Sequence, residues 1–197
     1  STTSSKRWTA RKRTKIPNHQ WWKMPGKQET GFLENYARLG LVEIIGEDAV
    51  EDFRKQASEA PLDLVVRGTL HRAGRAAFNY WLHLQHQPRT WITTDFRFSP
   101  VKKKITTGLA DICAWLGMNE YALLTMENRE KAWEILLEKT PSGQHEFTIN
   151  RCSFLAGFFQ EFTSWAGLGK AYLVREESCI LRGDDRCRIV IAKNPLD

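Results

Sequence analysis

Between Gly31 and Leu116 most apolar positions fall at helical spacing. Phe32, Leu33, Tyr36, Leu39 and Leu41 make one face. Gly46 separates it from a second stretch, Glu47–Ala57, that would bury Val50 and Phe53. Pro61, at a favoured first-turn position, opens a longer amphipathic segment, LDLVVRGTLHRAGRAAFNYWLHL, which ends near Pro88. Within it Gly68, Gly74, Ala76 and Ala77 are small enough to let another backbone approach, at a helix crossing or a subunit contact. From Arg89 to Pro100 the period changes. Trp91, Thr93, Asp95 and Arg97 alternate with Ile92, Thr94, Phe96 and Phe98, which predicts a strand or an extended connection. Lys102–Leu116 is helical again, with Ile105, Leu109, Ile112, Cys113 and Leu116 on one side. On that stripe Cys113 reads as a small buried hydrophobe.

The second half reads as strands around one helix. Glu120–Glu127 and Ala132–Lys139 are strand-like runs joined by Asn128-Arg129-Glu130-Lys131, a connection of hairpin length. Thr140-Pro141-Ser142-Gly143 turns the chain. From Asn150 a helix aligns Cys152, Leu155, Ala156, Phe159 and Phe162 and stops at Gly167. Strands at Ala171–Glu177 and Arg186–Ala192 complete the pattern. The expected fold is α+β, an antiparallel sheet of about four strands packed with helices.

At 197 residues, 42% hydrophobic and 26% charged, the chain has ordinary globular composition and enough length for one core. Residues 31–197 are expected to form that domain. Residues 1–30, punctuated by Pro17, Pro25 and Gly26, read as an extended arm whose Trp21 and Trp22 dock on the parent domain. The net charge of +6 belongs to the arm. Lys6, Arg7, Arg11, Lys12, Arg13 and Lys15 carry it, and without them 23 basic residues balance 23 acidic ones. Such a tail suits an anionic surface or an acidic protein partner. No apolar h-region opens the chain and no run of about 18 uncharged apolar residues occurs, so neither a secretory signal nor a membrane span is expected. A reducing, cytoplasmic setting follows, in which clustered cysteines mean metal more often than disulfide.

Three of the four cysteines fall between Cys152 and Cys187. Cys179 and Cys187 flank Leu181-Arg182-Gly183-Asp184-Asp185, a turn that would return the second thiol to the first. Cys152 comes from the start of the preceding helix, where the helix dipole favours a thiolate. Three thiols and a carboxylate can close a tetrahedral zinc site, and four protein ligands leave no open position for catalysis. Either Glu176 or Glu177 could serve. In an extended strand they point to opposite faces, so only one can reach the metal. His71, His83, His86 and His145 fit no nucleophilic triad. Neither G-x-G-x-x-G nor a P-loop occurs, so no nucleotide cofactor is indicated.

The runs C-S-F-L-A-G-F-F-Q-E-F-T-S-W-A-G, Y-L-V-R-E-E-S-C and R-G-D-D-R-C-R-I resemble the vinyl-4-reductase, or hydrocarbon-binding, domain family. The chain is especially similar to the sensory region of phenol- and xylene-responsive transcription activators. The match spans about Cys152–Val190, with a weaker one over Pro61–Gln144. The resemblance implies the α+β fold of transport-particle (TRAPP) tethering subunits, a homodimer, and zinc held by Cys152, Glu176, Cys179 and Cys187. It thereby selects Glu176 over Glu177. It also implies an apolar ligand pocket beside the zinc. Matching positions are Trp133, Phe158, Phe162 and Trp165, with Trp91 and Phe96 on the upstream segment. Sensory members hold a phenol hydroxyl with a Trp and a His. Trp133 corresponds to that Trp, but Lys102, Lys103 and Lys104 stand near the place of the His. A ligand other than phenol, or none, is therefore expected.

The resulting expectation is a non-catalytic, zinc-stapled sensor or adaptor domain, its staple in residues 150–192, that binds an apolar small molecule. Two alternatives follow from the same resemblance. One is an accessory protein of tetrapyrrole metabolism or photosystem assembly that carries a pigment. The other is a tether-like scaffold subunit using its basic arm.

Overall fold

The helices α1 (Phe32–Ile45), α3 (Leu64–His83) and α6 (Arg151–Ala166) form a stack with α3 in the middle. The computed structural model describes residues 32–83, 91, 93–119, 124–138 and 151–196. The arm, including Trp21, Trp22 and all six basic residues named above, lies outside them, as do Glu120–Leu123, the turn at 140–143, His86 and His145.

Glycine explains how closely the stack packs. A Cβ on Gly74 of α3 would lie 1.9 Å from the carbonyl oxygen of Phe154, and one on Gly157 of α6 would lie 1.9 Å from that of His71. Both helices therefore cross backbone to backbone. On α1, a Cβ on Gly40 would lie 2.1 Å from the Ala73 carbonyl oxygen. Of the four small residues predicted to admit a neighbour in α3, Gly74 takes this role, while Gly68 faces open space.

The short α2 (Val50–Glu59) buries Val50 and Phe53, as its pattern predicts, and Ala57 as well. α3 begins later than Pro61. Asp63 Oδ1 accepts the backbone N–H groups of Val65 at 2.9 Å and Val66 at 3.1 Å, so a side-chain cap rather than proline sets its start. The expected strand between Arg89 and Pro100 is instead a helix, α4 (Thr94–Phe98). Thr93 caps it, with Oγ1 accepting from Phe96 N at 3.4 Å, and Asp95 sits favourably in its first turn. Alternation over so few residues mimicked a strand, whereas Trp91 and Phe96, the buried ones among the described residues here, stack on one another. α5 (Val101–Asn119) follows and buries Ile105, Leu109, Ile112, Cys113 and Leu116.

Four strands, β1 (Leu124–Asn128), β2 (Ala132–Leu137), β3 (Tyr172–Ser178) and β4 (Cys187–Pro195), make one antiparallel sheet in the order β1-β2-β4-β3. The α+β expectation holds. Period-two alternation puts Trp133, Ile135 and Leu137 opposite Ile191, Ile189 and Cys187 on the helix-facing side, all buried. On the other side Arg188 bridges the carboxylates of Glu134 and Glu177. Register thus delivers Cys187 to the inner face at the end of the sheet where β3 finishes.

Candidate metal centre and ligand cleft

Three elements converge at that end. Cys152 projects from the first turn of α6, Cys179 follows the last residue of β3, and Cys187 opens β4. Between the last two, a single 3-10 turn (Ile180–Arg182) ends at Gly183, whose φ of 93° is a left-handed conformation that glycine adopts without steric cost. Asp184 Oδ2 accepts the Cys179 backbone N–H at 2.7 Å and fixes the turn. The Ile180 N–H points at Cys187 Sγ, 3.3 Å away.

The three sulfurs lie within 4.8 Å of one another, and all three residues are buried. The contact between Cys152 and Cys179 is 3.8 Å, far longer than the ~2.05 Å of a disulfide. This is a donor set that could hold a metal ion. Thiol contacts from Cys152 and then Cys179, aided by the Ile180 N–H, hold Cys187 well below the usual thiol range, so it is the readiest thiolate. Hydrogen bonds to its two neighbours and burial push Cys152 upward.

Glu176 falls outside the group of three, yet it is next to it. Burial, then the charge of Cys179, raises its carboxyl, while Arg67 and Arg182 work in the opposite direction. The Arg182 and Arg67 guanidiniums stand 3.5 and 3.8 Å from its two oxygens. Neither oxygen accepts a hydrogen bond, although the side chain is only 3% exposed. A buried carboxyl that accepts no hydrogen bond and meets its two guanidiniums only at 3.5 and 3.8 Å still has room for a further cation as partner. Glu177, the rival, is turned to the other face and engaged by Arg175 and Arg188.

The six aromatic positions expected at a pocket separate into two groups. Trp133, Phe158 and Phe162 are 0–1% exposed and fill the core, with Trp133 Nε1 donating to Thr106 Oγ1 at 2.8 Å. Trp91, Phe96 and Trp165 instead line an open cleft of about 370 Å³, together with Arg97, Lys104, Ala166 and Leu168. Trp91 stacks on both Phe96 and Trp165, each with ring centroids 5.4 Å apart. The cleft is at the C-terminal end of α6, thirteen residues and about 20 Å along the helix from Cys152. This cleft does not adjoin the thiols. Arg67, Arg182, Arg97 and Leu168 carried no signal in the sequence, because each sits in an ordinary helical or turn context. Leu168 takes a left-handed φ of 60° just past α6 and stays exposed at the cleft rim.

No family model matches the chain, and neither does any curated protein sequence. Among solved structures, an H-NOX protein from S. oneidensis aligns with 11% identity and a TM-score of 0.49, covering 83% of this chain and 95% of that one. The phenol-responsive sensory domain of the transcription activator PoxR, crystallised with phenol, aligns with 20% identity and a TM-score of 0.42, covering 80% of this chain and 73% of that one. A trafficking protein particle complex subunit 3 from Naegleria fowleri, covalently bound to palmitic acid, aligns with 11% identity and a TM-score of 0.43, covering 83% of this chain and 98% of that one. Among the described residues no helix is long and apolar enough to cross a membrane.

Proposed function

We propose that this chain is a non-catalytic small-molecule-binding domain, a sensor or adaptor, whose helices and sheet are pinned by a structural zinc ion. The observation that carries the reading is the aromatic cleft. Trp91, Phe96 and Trp165 line a site of about 370 Å³, toward the small end of the ~300–1,000 Å³ typical of ligand sites. That volume suits a compound of one or two rings better than a tetrapyrrole, so the sensor reading is preferred over pigment carriage. The tether-like scaffold has no comparable support.

For the metal, Cys152, Cys179 and Cys187 supply three ligands and Glu176 the fourth. Zinc–sulfur bonds of about 2.3 Å in a tetrahedron separate sulfurs by about 3.8 Å, and the Cys152–Cys179 contact has that value. A bound zinc would neutralise the thiolates and join the start of α6 to the β3–β4 turn. With four protein ligands it would have no open position, which supports a structural role. All four cysteines are free, in keeping with a reducing cytoplasm. Homodimerisation and contact of Lys6–Lys15 with an anionic surface or protein partner complete the proposal.

Two measurements test it. Elemental analysis of protein purified without added zinc should find about one zinc per chain, lost in Cys179→Ser. Calorimetric titration with 2-naphthamide should show one site, weakened at least tenfold in Trp165→Ala. Folded wild-type protein without zinc refutes the staple, and failure of both 2-naphthamide and its carboxylate analogue 2-naphthoate to bind refutes the ligand site.

A further inference from the structure

Resting on the ligand-binding reading of the cleft, we infer that its ligand is an aromatic or apolar compound bearing a carboxylate-class anion, with Lys104 and Arg97 as the anion-binding side chains.

The lining has two chemistries. Trp91, Phe96, Trp165, Ala166 and Leu168 are apolar, and the other two residues are both cations. Among the described residues no acidic side chain lines the cleft. Several arginines elsewhere on the described surface meet carboxylates, Arg75 facing Glu161 and Arg188 facing Glu134 and Glu177, although Arg72 and Arg186 do not. Arg97 and Lys104 make no ion pair with any described residue. Asp95, two positions before Arg97 on α4, does not neutralise it, and such a spacing puts the two on different faces of a helix.

Orientation selects Lys104 from its neighbours. Lys102 and Lys103 are exposed, whereas Lys104 is half-buried and reaches the cleft. It therefore borders a site where an anion's charge would be less screened than on the open surface. The aromatic wall supplies ring faces and little else. The Trp91 Nε1–H is already donated to Asp111 Oδ2 at 2.9 Å, so it is not free for a ligand. Trp165, at 40% exposure, offers the open face of the stack. Apart from the Trp165 Nε1–H, the donors left for a polar ligand group are the ammonium and the guanidinium, and only these two carry charge. Both already strengthen a hydrogen bond to any acceptor, and toward a carboxylate they add a Coulomb attraction that a neutral acceptor lacks.

The test compares 2-naphthoate with its neutral isostere 2-naphthamide by calorimetric titration of the full chain at low salt. Wild type should bind naphthoate at least tenfold more tightly. That preference should shrink severalfold in both Lys104→Gln and Arg97→Gln, and added salt should weaken only naphthoate. Arg97 is exposed, so its variant tests the idea even if Lys104→Gln perturbs folding. Equal affinities for the two compounds would overturn the anion assignment and leave the cleft reading standing. Naphthoate binding that neither substitution changes would place the anion elsewhere and overturn it too. If neither compound binds wild type, the ligand-binding reading itself fails and this inference with it.

Discussion

Cys152 and Cys179 are 27 residues apart in the chain, and their sulfurs are 3.8 Å apart. The contact joins the first turn of α6 to the residue just past β3. A metal there couples local order to binding, because the ligands are brought together only by folding. Chelation should therefore lower the melting temperature and release one metal per chain. Cys187→Ser should reproduce that loss, whereas Cys113→Ser, on the apolar stripe of α5, should keep the metal. Elemental analysis with thermal melts decides, and a full metal complement in Cys187→Ser would refute the donor assignment.

Arg67 and Arg182 extend the same site. Three thiolates and one carboxylate around a divalent ion leave two negative charges in excess, and these two guanidiniums face the carboxylate from 3.8 and 3.5 Å. Arg67 is also held by α6, its Nε donating to Ser153 Oγ at 3.4 Å. Outer partners of this kind are commonly worth about tenfold or more in metal affinity. Arg67→Gln and Arg182→Gln should each weaken zinc binding about tenfold in competition with a chromophoric chelator. Arg188→Gln, on the far face of the sheet, should leave it unchanged.

The glycine crossings give opposite predictions within one helix. Gly74→Ala drives a methyl group into the Phe154 carbonyl, with no flexible side chain to yield, and should destabilise by about 3 kcal/mol or more. Gly68→Ala meets nothing and removes backbone freedom from the unfolded chain, so it should stabilise by about 0.5–1 kcal/mol. Urea denaturation of the two variants against wild type measures both. Equal effects would mean that α3 and α6 do not cross at Gly74.

Sequence pattern alone accounts for part of this architecture. The four strands, the long cysteine-bearing helix and the β3–β4 return were legible because period-two and helical patterns persist over enough residues to be distinct. The convergence of Cys152, Cys179 and Cys187 followed from placing each at an element's end. The segment around Trp91 reads as a strand by pattern, since alternation over so short a run cannot distinguish a strand from one capped helical turn. That ambiguity hid how Trp91 and Phe96, both expected at a pocket, come together, which needs α4 to fold Phe96 back under Trp91. The distinction between Trp165 and its core neighbours Phe158 and Phe162 was not legible either. All three are aromatic residues on α6, and only packing determines which of them reaches the surface. Lys104 stood out in the sequence only for occupying a place where a histidine was expected.

Alkaline pH offers a separate probe of the α1–α3 contact. Tyr80 donates its hydroxyl to Glu43 Oε2 at 2.9 Å. Burial, that hydrogen bond and the adjacent charge raise its phenol to about 12, against about 10 in the unfolded chain. Between those values the unfolded state loses this proton while the native state keeps it. The contribution is therefore complete below pH 10 and disappears as pH rises through 12. Tyr36 and Tyr172 are raised as well, but they are common to both proteins in a comparison with Tyr80→Phe. The variant should be less stable than wild type at pH 8 and should converge on it toward pH 12. Denaturation midpoints across that range test the linkage, and a stability difference that stays constant with pH would show that the Tyr80–Glu43 bond does not set the phenol's titration.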